Sequence, residues 1–179
     1  MATKTTEQAV QQMKFEEFKQ HVLADFRLAC ESREASLLGR KEVLTGKAKF
    51  GIFGDGKELA QIALAKQFKK GDFRSGYYRD QTIMLAIREL TIQQYFAGLY
   101  AHTDVDVEPL SAGRQMGGHY ATRNLDKEGN WKNLMEQRNS SSDISPTAGQ
   151  MPRLVGLAQA SKVYRHNSNL HNESFQKFS

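Results

Sequence analysis

What most constrains this chain is a set of helix-period apolar patterns in its first hundred residues, with scarcely a strand for them to cover. From Phe15 the apolar positions fall at Phe18, Val22, Phe26, Ala29, Cys30 and Leu37, in steps that keep them on one side of a helix. Gly39 is the expected stop of that helix. A second helix is expected over Lys57 to Lys70, with Leu59, Ile62, Ala63 and Phe68 inward and Asp55 as its cap. A third is expected from about Asp80 to Leu90, and a fourth after Thr91, carrying Ile92, Tyr95, Phe96 and Leu99. Amphipathic helices need a layer to cover, so the pattern implies part of a larger α/β body.

After Pro109 the character changes. Residues 111–118 form a glycine-bearing loop, and residues 121–144 are polar enough to read as a long surface loop or insertion. A tightly packed helix of small residues is expected from Pro152 to about Arg165. Only Arg74 to Arg79 and Ile144 to Thr147 read as short strands. Residues 1–13 form an expected frayed tail, 14–165 the structured part, and 166–179 a polar tail.

Composition narrows the function classes. The 179 residues hold 39% hydrophobic residues and 14 glycines, an ordinary globular mixture that rules out wholesale disorder. The single Cys30, on the apolar side of its helix, cannot form an internal disulfide or a cysteine-rich zinc site, and is expected in the core. No apolar run reaches the roughly 20 residues that span a bilayer, and no signal-peptide core opens the chain, so a soluble, cytoplasmic protein is expected. The net charge of +5 suits an acidic partner or a phosphate-bearing cofactor. The densest basic run, Lys66 to Arg74, reads as a solvated helix end.

Three motifs invite chemistry. Tyr77-Tyr78-Arg79-Asp80 sets aromatic hydroxyls beside a guanidinium, a donor set suited to a phosphate, although an Arg79–Asp80 surface pair is the plainer reading. Gly113-Arg114-Gln115-Met116-Gly117-Gly118-His119-Tyr120 would let backbone amides approach a ligand, or would simply be a flexible loop. Gly54-Asp55-Gly56 resembles the magnesium motif of thiamine diphosphate enzymes. That motif needs an Asn some 25–30 residues on, and Asp80 to Leu85 contains none, so a turn and helix cap is expected instead.

In sequence, Gly56 to Ala65, Tyr78-Arg79-Asp80, Gly113-Arg114-Gln115-Met116 with His119-Tyr120, and Ser145-Pro146-Thr147 with Gln150-Met151-Pro152 form an ordered series. The series resembles the N-terminal part of the alpha subunit of thiamine diphosphate-dependent 2-oxo acid dehydrogenases, most of all the branched-chain, 2-oxoisovalerate members. The resemblance covers residues 15–165. It implies an incomplete α/β thiamine diphosphate-binding fold, here mostly helical with few short strands. It also implies that Tyr78 and Arg79 contact the cofactor diphosphate, that Ser145 and Thr147 pass beside its aminopyrimidine, and that Tyr77 and His119 border the substrate pocket. No catalytic residue is assigned within the chain, and the magnesium ligands are expected outside it, in the remainder of a longer enzyme.

The implied partners are a beta subunit or fused beta region, a lipoyl transacylase and dihydrolipoyl dehydrogenase, in a multienzyme complex with homo-oligomeric copies. Neither nucleic acid nor membrane is implied. Two positions depart from the branched-chain pattern. Thr147 stands where those members carry a leucine, and Gly149 where some members bind potassium through a threonine. Pyruvate or acetoin dehydrogenase relatives, and a non-catalytic helical docking module with a basic surface, are the alternatives.

Overall fold

A computed structural model describes residues 14–142, 144–167 and 169. The expected tail over 1–13 lies outside the described residues, as does most of the tail over 166–179. Among the described residues, five α-helices and two strands follow in the order α1 (Phe15–Leu44), α2 (Glu58–Gln67), β1 (Phe73–Ser75), α3 (Gln81–Ala86), α4 (Ile92–Leu99), β2 (Asn139–Ser141) and α5 (Gln150–His166). The architecture is mostly helical around two short parallel strands, as expected for an α/β piece. No helix among the described residues is long and apolar enough to cross a membrane.

The core forms where α2, α3 and α4 meet. Phe68, Ile83, Met84, Ile87, Leu90 and Tyr120 are buried together there. α4 starts as its sequence implies: Thr91 accepts from the Gln94 amide, and the Gln94 side chain accepts in return from the Thr91 amide, satisfying two otherwise orphaned donors.

α1 runs five residues past Gly39, to Leu44. Gly39 is a packing position: a Cβ there would lie 2.5 Å from the Phe53 ring. The helix ends at Thr45, followed by Gly46 at φ +76°. Its buried positions are Ser32, Ala35, Ser36, Gly39 and Glu42, all but the last small. The apolar stripe expected to face inward is solvent-exposed instead, Phe26 to 66% and Phe15 to 73%, and Cys30 is exposed with it. The close approach of α3 selects the small-residue face, and nothing among the described residues covers the aromatic one. On α2, Ile62 and Phe68 are buried, whereas Leu59 and Ala63 face solvent. Asp55 does not cap α2; its carboxylate accepts from Arg40 at 2.6 Å.

Both strand expectations need correction. β1 is shorter than Arg74–Arg79. It pairs in parallel with β2, in the register Phe73–Asn139, Arg74–Ser140 and Ser75–Ser141. Thus the polar serine run read as surface loop contributes a strand, with Asn139 and Ser140 buried. Its buried side chains find partners outside the strand: Asn139 Nδ2 donates to the Leu134 carbonyl at 2.7 Å, and Ser140 Oγ accepts from Arg74 Nε at 2.9 Å. Hydropathy alone misses a strand buried by hydrogen bonding. Residues 144–147 form a bend instead of a strand. α5 begins two residues before Pro152 and buries no residue completely, so it is not the tightly packed helix expected. It leans on β1 across a cavity of about 170 Å³ lined by Phe73, Leu154, Leu157, Ala158 and Tyr164.

Candidate functional site

Between β1 and α3 the chain makes a tight turn over residues 76–80, and this turn presents Tyr77, Tyr78 and Arg79, all half-buried. The backbone of the turn is clamped from below. Gln61 of α2 donates to the Arg79 carbonyl at 3.0 Å while accepting from the Ile83 amide at 3.0 Å. Gly54 packs against the same carbonyl, and a Cβ at that position would lie 2.4 Å from it. Gly54 therefore serves close packing under the turn, and the Gly54-Asp55-Gly56 sequence is a turn as expected, without the capping role. Gln81 completes the clamp, donating to the Ser32 carbonyl at 3.2 Å and the Ser36 hydroxyl at 2.5 Å, and accepting from the Gly54 amide at 3.3 Å.

Above that base the side chains converge. The hydroxyls of Tyr77 and Tyr78 are hydrogen-bonded to each other, and their rings lie 3.9 Å apart. The Arg79 guanidinium stands 5.1 Å from the Tyr78 ring centroid and 5.8 Å from that of Tyr77, within cation–π range, and Nη1 donates to the Tyr77 hydroxyl at 3.4 Å. Asp80 does not pair with Arg79; it takes Arg74 instead. Among the described residues Arg79 has no carboxylate partner.

The bend over 145–149 approaches this turn through Thr147, whose hydroxyl favours the ionised form of both phenols. Ser145 is exposed two residues earlier on the same bend. From the other side, His119 sets its ring edge-on to Tyr78 at 6.4 Å. The loop carrying His119 approaches closely because Gly118, at φ +91°, has no Cβ to strike the Tyr78 carbonyl at 2.6 Å. Gly113, at φ +73°, likewise packs on the Ala101 carbonyl. These two glycines serve contacts between backbone segments. The amides of Leu110, Ser111 and Gly113 are already taken by the buried Glu108 carboxylate at 2.8–3.1 Å.

The cluster polarises its own phenols. The Tyr77 phenol is held below the ordinary tyrosine range by the Tyr78 hydroxyl first and the Thr147 hydroxyl next. Its neighbour Tyr78 is held above that range, by its bond to Tyr77 first and burial second. No three His, Cys, Asp or Glu side chains converge as metal ligands among the described residues.

All six residues singled out in the sequence therefore lie on three segments, with Tyr77 and Tyr78 at the centre, Arg79 and Thr147 acting on both phenols, and His119 beside Tyr78. Sequence reasoning missed the supports: Gln61, Gln81, Gly54 and Arg74. Arg74, read as part of a solvated basic end, is nearly buried, with its side chain 10% exposed.

No protein-family model matches the chain. Among curated proteins, however, it aligns with two relatives of one kind. Over 120 residues it is 30% identical to the 2-oxoisovalerate dehydrogenase subunit alpha of Bacillus subtilis (strain 168), an alignment covering 66% of this chain and 31% of that protein. The chain is similar to 2-oxoisovalerate dehydrogenase alpha subunits. A mitochondrial 2-oxoisovalerate dehydrogenase subunit alpha from Caenorhabditis elegans is 26% identical over 125 residues, covering 70% of this chain and 25% of that protein. The chain spans between a quarter and a third of the length of these alpha subunits.

Proposed function

We propose that this chain is the N-terminal part of the alpha component of a thiamine diphosphate-dependent 2-oxo acid dehydrogenase, with a branched-chain 2-oxo acid as its substrate class. One observation carries the reading: a guanidinium without a carboxylate partner among the described residues stands over two hydrogen-bonded phenols, and Thr147 joins them from a bend some 70 residues away in sequence. Similarity to the two alpha subunits supports it.

The donors present fit a diphosphate. Arg79 offers a planar, permanently charged fork, and the Tyr78 hydroxyl offers a directional donor beside it. In this reading Arg79 and Tyr78 hold the diphosphate, while Ser145 and Thr147 flank the aminopyrimidine. Tyr77 and His119 border the space left for the 2-oxo acid. When bound, thiamine diphosphate supplies the carbanion chemistry by which a 2-oxo acid loses carbon dioxide. This chain's residues contribute binding and orientation. The rings of Tyr77, Tyr78 and His119 limit water around the charged contact, which strengthens it. Magnesium is held by residues elsewhere in the enzyme. A beta subunit or fused beta region completes the site, a lipoyl transacylase receives the acyl group, and dihydrolipoyl dehydrogenase reoxidises the lipoyl carrier.

Calorimetric titration of the full-length protein with thiamine diphosphate and magnesium tests the assignment. Arg79→Ala is expected to weaken binding by about 1.5–3 kcal/mol, the range for a hydrogen bond to a charged group. Unchanged affinity removes Arg79 from the site.

A further inference from the structure

The side chain that fixes the Tyr77–Arg79 turn in space is one the function above does not use. Arg74, on β1, reaches three ways. Its Nε donates to Ser140 Oγ on β2 at 2.9 Å, and its Nη1 donates to Asp80 Oδ2 at 2.9 Å. The same Asp80 oxygen accepts from the Tyr77 amide at 2.9 Å. Nη2 is buried with no hydrogen-bond partner among the described residues and lies over Gly76, where a Cβ would stand only 2.0 Å from it. Ser140 is anchored in turn, its amide donating to Thr122 Oγ1 at 2.9 Å.

The strand pair, the first residue of the turn and the residue that closes it thus meet on one guanidinium. The arrangement needs arginine: a planar fork addresses Ser140 and Asp80 in two fixed directions, whereas a lysine ammonium carries no such fixed geometry. It needs a carboxylate at position 80, because one oxygen accepts both from a cation and from a backbone amide. It needs glycine at position 76, because the Nη2 end of the guanidinium fills the space a Cβ would take.

Burying a cation and leaving one of its amino groups unpaired is costly, and paired buried ions seldom stabilise more than apolar packing would. What the pair does provide is direction, because it sets where Tyr77 leaves the strand and so where Tyr78 and Arg79 point.

We propose that Arg74 and Asp80 are positioning residues for the Tyr77–Tyr78–Arg79 turn, with Gly76 as the slot that seats the guanidinium. As a statement about cofactor affinity this rests on the function proposed above; as a statement about the turn it does not.

Two variants test it without deleting a buried charge. Gly76→Ala pushes the guanidinium off its seat while keeping both ions, and Arg74→Lys keeps the charge but loses the fork. Each is compared with wild type and with Arg79→Ala in three measurements: thermal melting, thiamine diphosphate affinity of the full-length protein with magnesium, and alkaline titration of tyrosinate absorbance in the chain without cofactor. The expected result is that both variants fold and melt below wild type, with affinity about tenfold weaker in both. The Tyr77 and Tyr78 titrations should also collapse toward the ordinary tyrosine range, the two positions being identified by Tyr77→Phe and Tyr78→Phe.

If Arg79→Ala loses affinity while both variants keep wild-type affinity and titration, the positioning role is overturned. If Arg79→Ala keeps its affinity, the cofactor reading fails, and the phenol titration alone decides for or against the positioning of the turn. Failure of both variants to fold would make the pair a general structural one and would also overturn the proposal.

Discussion

The hydroxyl of Thr147 acts on the phenol of Tyr77 and lowers its pKa, linking the bend before α5 to the turn before α3. Because Thr147 helps hold the Tyr77 phenol down, Thr147→Val is expected to shift the Tyr77 titration upward toward its ordinary value. Absorbance titration of tyrosinate, with Tyr77→Phe to identify the signal, checks this. On the function proposed above, Thr147→Leu introduces the residue of the branched-chain pattern and is expected to raise kcat/KM of the full-length protein for branched aliphatic 2-oxo acids relative to pyruvate.

Glu58 supplies a pH dependence with a definite sign. Its carboxylate accepts two hydrogen bonds from Arg33, at 2.7 and 2.9 Å, and one bifurcated bond from the Gly56 amide, at 3.1 and 3.0 Å. Arg33, acting against burial, holds its carboxyl down at about 2, from an ordinary value of 4.5. The folded value lies below the unfolded one, so the stabilisation is complete above about pH 4.5 and is lost as pH falls toward about 2. Glu58→Gln is expected to cost about 1–3 kcal/mol at neutral pH. The gap to wild type should close on acidification, followed by urea unfolding at several pH values.

The same substitution should have opposite signs in two helices. Gly39 and Gly51 hold the Phe53 ring between them, and a Cβ at either position would lie 2.5 Å from it. Gly39→Ala gains helix propensity but overpacks the ring, for a net loss of about 1 kcal/mol. Gly156 of α5 has open space around it, so Gly156→Ala is expected to stabilise by about 0.5–1 kcal/mol. Thermal melts of the two variants side by side decide it.

The aromatic stripe of α1 leaves Phe15, Phe18 and Phe26 exposed. Phe18→Gln and Phe26→Gln should each change stability by less than about 0.5 kcal/mol, as for surface positions. They should nevertheless reduce the binding of a hydrophobic dye to the isolated chain, because the stripe is a contiguous apolar surface.

The residues of the candidate site stand out in the sequence because their types are unusual together: two phenols beside a guanidinium, a Ser-Pro-Thr segment, a His-Tyr pair. The supports were not legible. Gln61, Gln81 and Arg74 carry polar side chains that sequence alone assigns to solvent, yet each is held inside by partners 6–66 residues away. Gly54 carries a motif-like neighbourhood whose purpose is contact with the Arg79 carbonyl.

Local chemistry by itself determined most of what is short-range here: the capping box at Thr91 and the broad placement of α1 to α4. Those depend on residues three or four apart, whose hydrogen bonds and spacing are written consecutively in the chain. Only the tertiary structure decided which face of α1 is buried, that a serine run forms a strand, and that Thr147 meets Tyr77. Each of these depends on which distant surface arrives to satisfy a polar group or exclude water, and that partner is chosen by the three-dimensional packing of the whole chain.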